Sequence, residues 1–260
     1  MNANPFRFEP VLAPADGDGI APAATPREQL KTRLAAAFRL LHQLGMSLGV
    51  AGHLSARDPE HEDRFWVNPF GIGYGEMRAS LLSLVTLEGV VLEGGPINAA
   101  AFAIHAAVHR ARPDVACVAH GHPEHATAWC ALGRPLDPIN QDVCALYGDH
   151  AVFEEDCGLV LGLDEGARIA AALGGQKALL LRNHGPLSVG RSVEEALWWF
   201  VLIERSARIQ LLAEAAGRVH ALPPEQARGI ARGIGTPAFG AFQGRPLLRQ
   251  VLRSQPEVAS

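Results

Sequence analysis

The chain has 260 residues, 48% of them hydrophobic, with a formal net charge of −4. That is enough to bury one large core, and the mildly acidic balance, free of any block of like charge, excludes the electrostatic footprint of nucleic acid or an anionic membrane. Cys117, Cys130, Cys144 and Cys157 form no C-x-x-C pair, no basic and apolar leader opens the chain, and no run nears the ~20 apolar residues of a bilayer span, so a soluble, cytoplasmic protein with reduced thiols and a small-molecule partner is expected.

Residues 1–25 are rich in Pro, Ala, Gly and Asp without helical or strand period, which predicts a disordered N-terminal tail. Thr25-Pro26-Arg27-Glu28 has the elements of a capping box, and Leu30, Leu34, Ala37, Phe38, Leu41 and Leu44 recur at helical spacing up to the glycines at 45 and 49. Short strands are expected after Gly52 and over Phe65–Asn68, and a hairpin over Leu84–Glu93. Asn98–Arg110 reads as an alanine-rich helix lying close against a sheet. Its His105 and His109 are an i, i+4 pair, either ligands or a buried and an exposed histidine, with no acidic residue at metalloprotease spacing.

Val115–Ala119 is an apolar run of strand length ending in His120-Gly121-His122. Alternate residues of an extended segment point the same way, so the two imidazoles can face one point. Lys177–Leu181 is a second such run, ending in Arg182-Asn183-His184-Gly185. If the two strands share a sheet, three imidazoles meet at their ends with one position open, the pattern of a catalytic divalent site. Between them, a helix is expected over Ala126–Leu132, strands over Val143–Tyr147 and Ala151–Glu154, and a helix over Gly166–Leu173. Ser192 and Glu195 then open the longest helical stretch, running towards Gly217. Its Trp198-Trp199-Phe200 is apolar enough for either core or an oligomer interface. A weak helix after Pro223-Pro224 and a polar tail close the chain. About nine short strands with helices on both sides predict one α/β/α layered domain over 26–235, followed by a C-terminal extension over 236–260.

Ala51-Gly52-His53-Leu54-Ser55-Ala56-Arg57, Asn68-Pro69-Phe70-Gly71, the Arg112-Pro113-Asp114 helix ending, His120-Gly121-His122 and Asn183-His184-Gly185 together resemble the class II aldolase and adducin family, in that family's order, over roughly residues 28–215. The resemblance implies a single α/β/α domain with a largely antiparallel central sheet, a divalent metal on His120, His122 and His184 (zinc first, with Fe(II) or Mn as alternatives), and a cyclic homotetramer with active sites between subunits. The departures are equally informative. Ala99-Ala100-Ala101 stand where the sugar-phosphate aldolases carry a Ser-Ser-Glu type sequence with the catalytic glutamate, His53 replaces an asparagine, and Phe70-Gly71 replace a threonine-glycine pair. A phosphosugar therefore fits this pocket poorly. His53, Asn68, Phe70 and Gln141 are candidate substrate contacts, and Asp142, then Tyr147, are candidates for the missing acid/base group, from the stretch where family aldolases place a tyrosine that reaches a neighbouring site.

The expected function is metal-dependent carbon–carbon lysis, aldolase or decarboxylase in type, of a small unphosphorylated oxo or hydroxy acid through a metal-stabilised enolate. Two alternatives stand beside it: an Fe(II)-dependent oxygenase that oxidatively decarboxylates an aromatic 2-oxo acid, and an adducin-like binding module without catalysis.

Overall fold

The structure, a computed structural model, describes residues 24–155 and 162–260; most of the expected N-terminal tail, and Cys157, lie outside the described residues. Eight strands form one sheet: β1 (His53–Arg57), β2 (Arg64–Val67), β3 (Ser83–Thr86), β4 (Val91–Glu93), β5 (Cys117–His120), β6 (His150–Phe153), β7 (Ala178–Leu181) and β8 (Pro186–Gly190), in the order β4-β3-β2-β1-β5-β8-β7-β6. Only β6 and β7 pair in parallel; every other neighbouring pair is antiparallel.

Among the described residues the α-helices are α1 (Pro26–Gln43), α2 (Ala99–Ala111), α3 (Glu124–Ala131), α4 (Leu163–Leu173), α5 (Val193–Ala216), α6 (Pro224–Ile234) and α7 (Pro237–Ser254). Alternation along the strands decides which helices lie where. Leu54, Ala56, Cys117 and Ala119 pack with α1, α5 and α7 residues such as Phe38, Phe200 and Leu248. Val118, Leu179, Leu181, Leu187 and Val189 pack with Ile104 and Val108 of α2 and Ile169 and Leu173 of α4 on the other face. The result is the expected α/β/α layering.

The capping signals act as their chemistry requires. The Thr25 side chain accepts from the Glu28 amide while Glu28 returns a bond to the Thr25 backbone. The Ser192 hydroxyl accepts from the Glu195 amide, but the Glu195 carboxylate bonds the Arg191 amide and the Trp199 indole instead of closing a reciprocal box. Trp199 and Phe200 are core residues and Trp198 is partly buried, so most of this aromatic run is used within the chain.

Two expectations are corrected. Val143–Leu146 is a 3-10 turn rather than a strand. Its four residues are all buried, and a short apolar run shows no period that separates strand from helix; the Asn140 side chain accepting from the Val143 amide tips it toward a turn. The expected polar tail contains α7, whose Leu248, Val251 and Leu252 enter the core beside α1 and α5. Gly240 and Gly244 permit that approach: a Cβ at 240 would stand 2.5 Å from the Trp199 ring, and one at 244 would overlap the Glu194 carbonyl. No helix of the described residues is long and apolar enough to cross a membrane.

Gly244→Ala should therefore destabilise the protein by about 1–3 kcal/mol through overpacking, lowering Tm by roughly 3–10 °C. Gly233→Ala in α6, where the added methyl meets nothing within 4 Å, should be neutral or raise Tm slightly. Thermal denaturation of the two variants side by side checks the packing of α7.

Candidate metal centre

Two turns build the site. After β5 the chain carries His120, Gly121 and His122 into α3, whose N-terminus has no side-chain cap of its own. Glu204 of α5 supplies one, accepting from the backbone amides of His125 at 3.2 Å and Ala126 at 2.7 Å. This holds the histidine turn against α5. The second turn joins β7 to β8. The His184 amide donates to the Leu181 carbonyl at 3.0 Å and the Leu181 amide to the Gly185 carbonyl at 3.1 Å. Asn183 closes it at φ 57°, the single non-glycine residue of positive φ among the described residues, a conformation asparagine tolerates.

The turns meet because β5 and β8 are neighbours, with His120 opposite Leu187. Gly185 presses its backbone onto Gly121 and His122; a Cβ there would overlap the Gly121 carbonyl and lie 2.9 Å from the His122 ring. His120, His122 and His184 consequently place one nitrogen each within 4.8 Å of the other two. Their ring centroids are 5.2 Å apart for His120 and His122, 4.7 Å for His120 and His184, and 4.9 Å for His122 and His184.

The hydrogen bonding suits a divalent cation. His120 Nδ1 donates to the Pro186 carbonyl at 3.1 Å, which fixes the tautomer and leaves Nε2 as a bare lone pair. That Nε2 is buried without a partner, as is His184 Nδ1, and unpaired buried nitrogens are costly unless something fills the space between them. Burial, with the neighbouring imidazoles, holds His120 well below the usual histidine range and His184 down to about 4; burial alone lowers His122. All three are neutral at pH 7, the state a metal ligand requires. His122 is exposed, so the cluster is open on one side.

The other expected site residues divide into two groups. His53 lies opposite His120 across β1 and β5, with ring centroids 5.5 Å apart. Asn68 is buried nearby, its amide donating to the Gly52 carbonyl at 3.4 Å. Phe70 is 54% exposed. Gln141 and Asp142 are exposed and Tyr147 half-buried; Asp142 stands 4.0 Å from the Arg205 guanidinium. Among the described residues no hydrogen bond, ion pair or ring contact joins these last three to the histidine cluster within one chain.

Sequence reasoning missed Ser55. Its hydroxyl lies 2.6 Å from His105 Nδ1 and 2.8 Å from His109 Nε2, so the i, i+4 histidines of α2 are both buried and neither joins the cluster. Alternation was the available signal: Ser55 is two residues from His53 and must share its face. Ala101, where the family resemblance implies a carboxylate, is buried one helical turn before His105.

A family model described as the class II aldolase and adducin N-terminal domain matches residues 32–211. Decarboxylase NovR of Streptomyces niveus is 41% identical over 240 residues, covering 91% of this chain and 89% of that protein. A 4-hydroxy-3-prenylphenylpyruvate oxygenase/4-hydroxy-3-prenylbenzoate synthase of Streptomyces roseochromogenus subsp. oscitans is 40% identical, with 91% and 87% covered. Among solved structures, an L-fuculose 1-phosphate aldolase from Glaciozyma antarctica PI12 superposes with a TM-score of 0.84 at 38% identity, over 92% of this chain and 96% of that one.

Two outcomes test the site. Gly185→Ala, which removes no ligand, should weaken zinc binding at least tenfold by separating the turns, measured by competition with a chromophoric chelator. In the metal-free protein the sign for acid follows from the lowered values: the unfolded chain takes up protons below about pH 6.5, while His53 and His109, each held down to about 3, do not take them up when folded. Stability present at pH 7 should fall as pH drops from 6.5 toward 4, by about 1.4 kcal/mol per pH unit for each fully buried imidazole, as read by urea denaturation at three pH values.

Proposed function

This chain belongs to the class II aldolase and adducin family, and we propose that it is a metal-dependent lyase that breaks a carbon–carbon bond in a small unphosphorylated oxo or hydroxy acid through an enolate, with decarboxylation favoured over aldol cleavage. The observation that carries this reading is an intact three-imidazole cluster beside a helix whose first turn presents Ala101. A divalent cation on His120, His122 and His184, zinc before Fe(II) or manganese, would supply Lewis acidity to a carbonyl oxygen and to the negative charge left when the bond breaks. Aldol cleavage also requires a base to take the proton from a hydroxyl. Decarboxylation of an acid whose carbonyl is beta to the carboxylate does not: the electron pair of the breaking bond passes toward that carbonyl as an enolate, carbon dioxide leaves, and a proton returns to carbon. An alanine at 101 is compatible with the second and a handicap for the first.

Other features agree. The exposed Phe70 ring offers an apolar wall to the substrate's side chain, with His53 and Asn68 toward its polar end, and Gln141, Asp142 and Tyr147 are proposed to act from a neighbouring copy in a homotetramer. Exposed Leu44, Leu48 and Leu212 supply apolar surface for such an assembly, and the cytoplasm is its proposed location. The oxygenase reading is kept as the second because one Streptomyces relative carries that activity in its name. The intact cluster argues against a non-catalytic binding module.

Purified protein should release carbon dioxide from one or more oxo acids with a carbonyl beta to the carboxylate equally well with and without oxygen, and His122→Ala should reduce this to background. Turnover that stops under anaerobic conditions in an iron-loaded sample would replace the lyase with the oxygenase. A metal-loaded protein inert toward every 2-oxo and 3-hydroxy acid offered would reject both.

A further inference from the structure

The loop between α3 and β6 carries Gln141 and Asp142 and is closed at its base by one side chain. Leu136 stands near its start and Leu146 near its end, 4% and 0% exposed and packed in one apolar cluster with Trp129, Leu180 and Trp199. The ring of His150, the first residue of β6, lies between their peptide groups. Its Nε2 accepts from the Leu136 amide at 2.9 Å, and its Nδ1 donates to the Leu146 carbonyl at 2.7 Å. Between these two points Gln141 and Asp142 are exposed. The loop is tied elsewhere by Asp137 to Gln210, by the Asn140 side chain to the Val143 amide, and by the Lys177 ammonium to the Ala145 carbonyl.

An amide only donates and a carbonyl only accepts, so these two partners assign the protons of the ring. Nδ1 carries one and Nε2 keeps a lone pair, which is the neutral form. A second proton would turn Nε2 into a donor facing the Leu136 N–H, so that proton and that hydrogen bond exclude each other. The Nδ1 bond survives protonation, and the loop is freed at its Leu136 end alone. The charges around the ring are mixed. Asp149 beside it and Asp137 of the loop favour the protonated form and Lys177, which leads into β7, opposes it, while burial, the largest effect, holds His150 below the usual histidine range. The turn Val143–Leu146 has no charged side chain, and from α5 the loop meets the uncharged Gln210 and Glu214, which is paired with Arg134. The two bonds are therefore intact at pH 7, and the Leu136 bond is lost only in acid, on the low side of the ordinary histidine pKa.

We propose that His150 is a positioning residue for the segment carrying Gln141 and Asp142, a neutral clamp that holds residues 136 and 146 to one ring and releases residue 136 when it is protonated. Both attachments are to peptide groups of buried residues, which are costly to leave unanswered, so the clamp fixes the backbone on either side of the exposed tip. The link from the clamp to turnover rests on the role proposed above for Gln141 and Asp142 at a neighbouring site; the clamp itself does not.

Proton–nitrogen correlation spectra and amide exchange of the full-length, zinc-loaded protein, followed from pH 7.5 downward, test the clamp without substrate. At pH 7 the His150 signals, assigned through His150→Gln, should be those of a ring protonated on Nδ1 alone. On acidification the protection factor of the Leu136 amide should fall at least tenfold, with the same midpoint as the ring. Glutamine offers one donor and one acceptor and does not titrate, so His150→Gln should hold Leu136 protected through that midpoint, whereas His150→Phe, with neither group, should lack the protection at every pH. In turnover, His150→Phe should lower kcat at least tenfold with zinc affinity changed less than threefold, and His150→Gln should restore kcat. A ring protonated on Nε2 at pH 7, a ring that stays neutral until the protein unfolds, or a Leu136 amide still protected after the ring has titrated overturns the clamp with no variant needed. A folded His150→Phe with wild-type kcat overturns the positioning role. Spectra as expected in a protein that turns over no oxo acid support the clamp and count against the function proposed above.

Discussion

The closest backbone approach at the site, Gly185 upon Gly121, is the constraint from which the rest follows. It brings two turns more than sixty residues apart in sequence into contact at the end of one sheet. Without it His120 and His122 are a pair on one strand and His184 a residue on a hairpin. Neither part can be repositioned alone, because β5 and β8 are hydrogen-bonded along their length with His120 opposite Leu187. The sheet fixes the height of the imidazoles, and the glycine contact fixes the gap between them. Glu204 then clamps the first turn from α5, so the helical layer takes part in holding a site whose ligands all come from the ends of strands.

Burial gives the cluster its chemistry. Imidazoles in water are close to half protonated near pH 6.5; here desolvation and crowding keep His53, His105, His109 and His120 neutral. Neutral rings are ligands and hydrogen-bond partners, whereas charged ones would repel each other and any cation. The same desolvation makes each unpaired ring nitrogen expensive, so the arrangement is stable only where a cation, a hydroxyl or a neighbouring ring answers each lone pair. The Ser55 hydroxyl answers His105 Nδ1 and His109 Nε2, and a cation between His120, His122 and His184 would answer His120 Nε2.

Much of this was legible in the sequence, because it depended on local chemistry or on a short period. Thr25 and Ser192 announced their helices through capping; His120 and His122 announced a shared face through alternation. A second apolar run pointed to His184 and the alternation of strands and helices to the layered fold, which the structure has; the resemblance to a known family added the homotetramer and named the metal. What stayed hidden was long-range. Val143–Leu146 is apolar throughout, and four buried residues carry no period, so only the Asn140 cap distinguishes turn from strand. Residues 237–254 are polar enough on average to read as a tail, yet Gly240 and Gly244 let a helix settle against Trp199 and Glu194. Ser55 was within reach of alternation, but its importance lies in meeting His105 and His109, some fifty residues on.

The absence of a carboxylate at Ala101 and the histidine at position 53 bear on each other. Ala101 and His105 lie one turn apart on α2, and the His105 ring meets that of His53 edge to face, so the two differences are linked through one side chain. A carboxylate at 101 would add a negative charge and a strong acceptor beside the cluster, and an ionised acid there would attract a proton to any nearby imidazole. With alanine in that place position 101 adds no negative charge, and burial, helped at His109 by the nearby Arg57 guanidinium, keeps the α2 histidines neutral. Three neutral imidazoles that can hold a cation, with no carboxylate supplied from position 101, fit the proposed loss of carbon dioxide better than a reaction that begins by removing a proton from a hydroxyl.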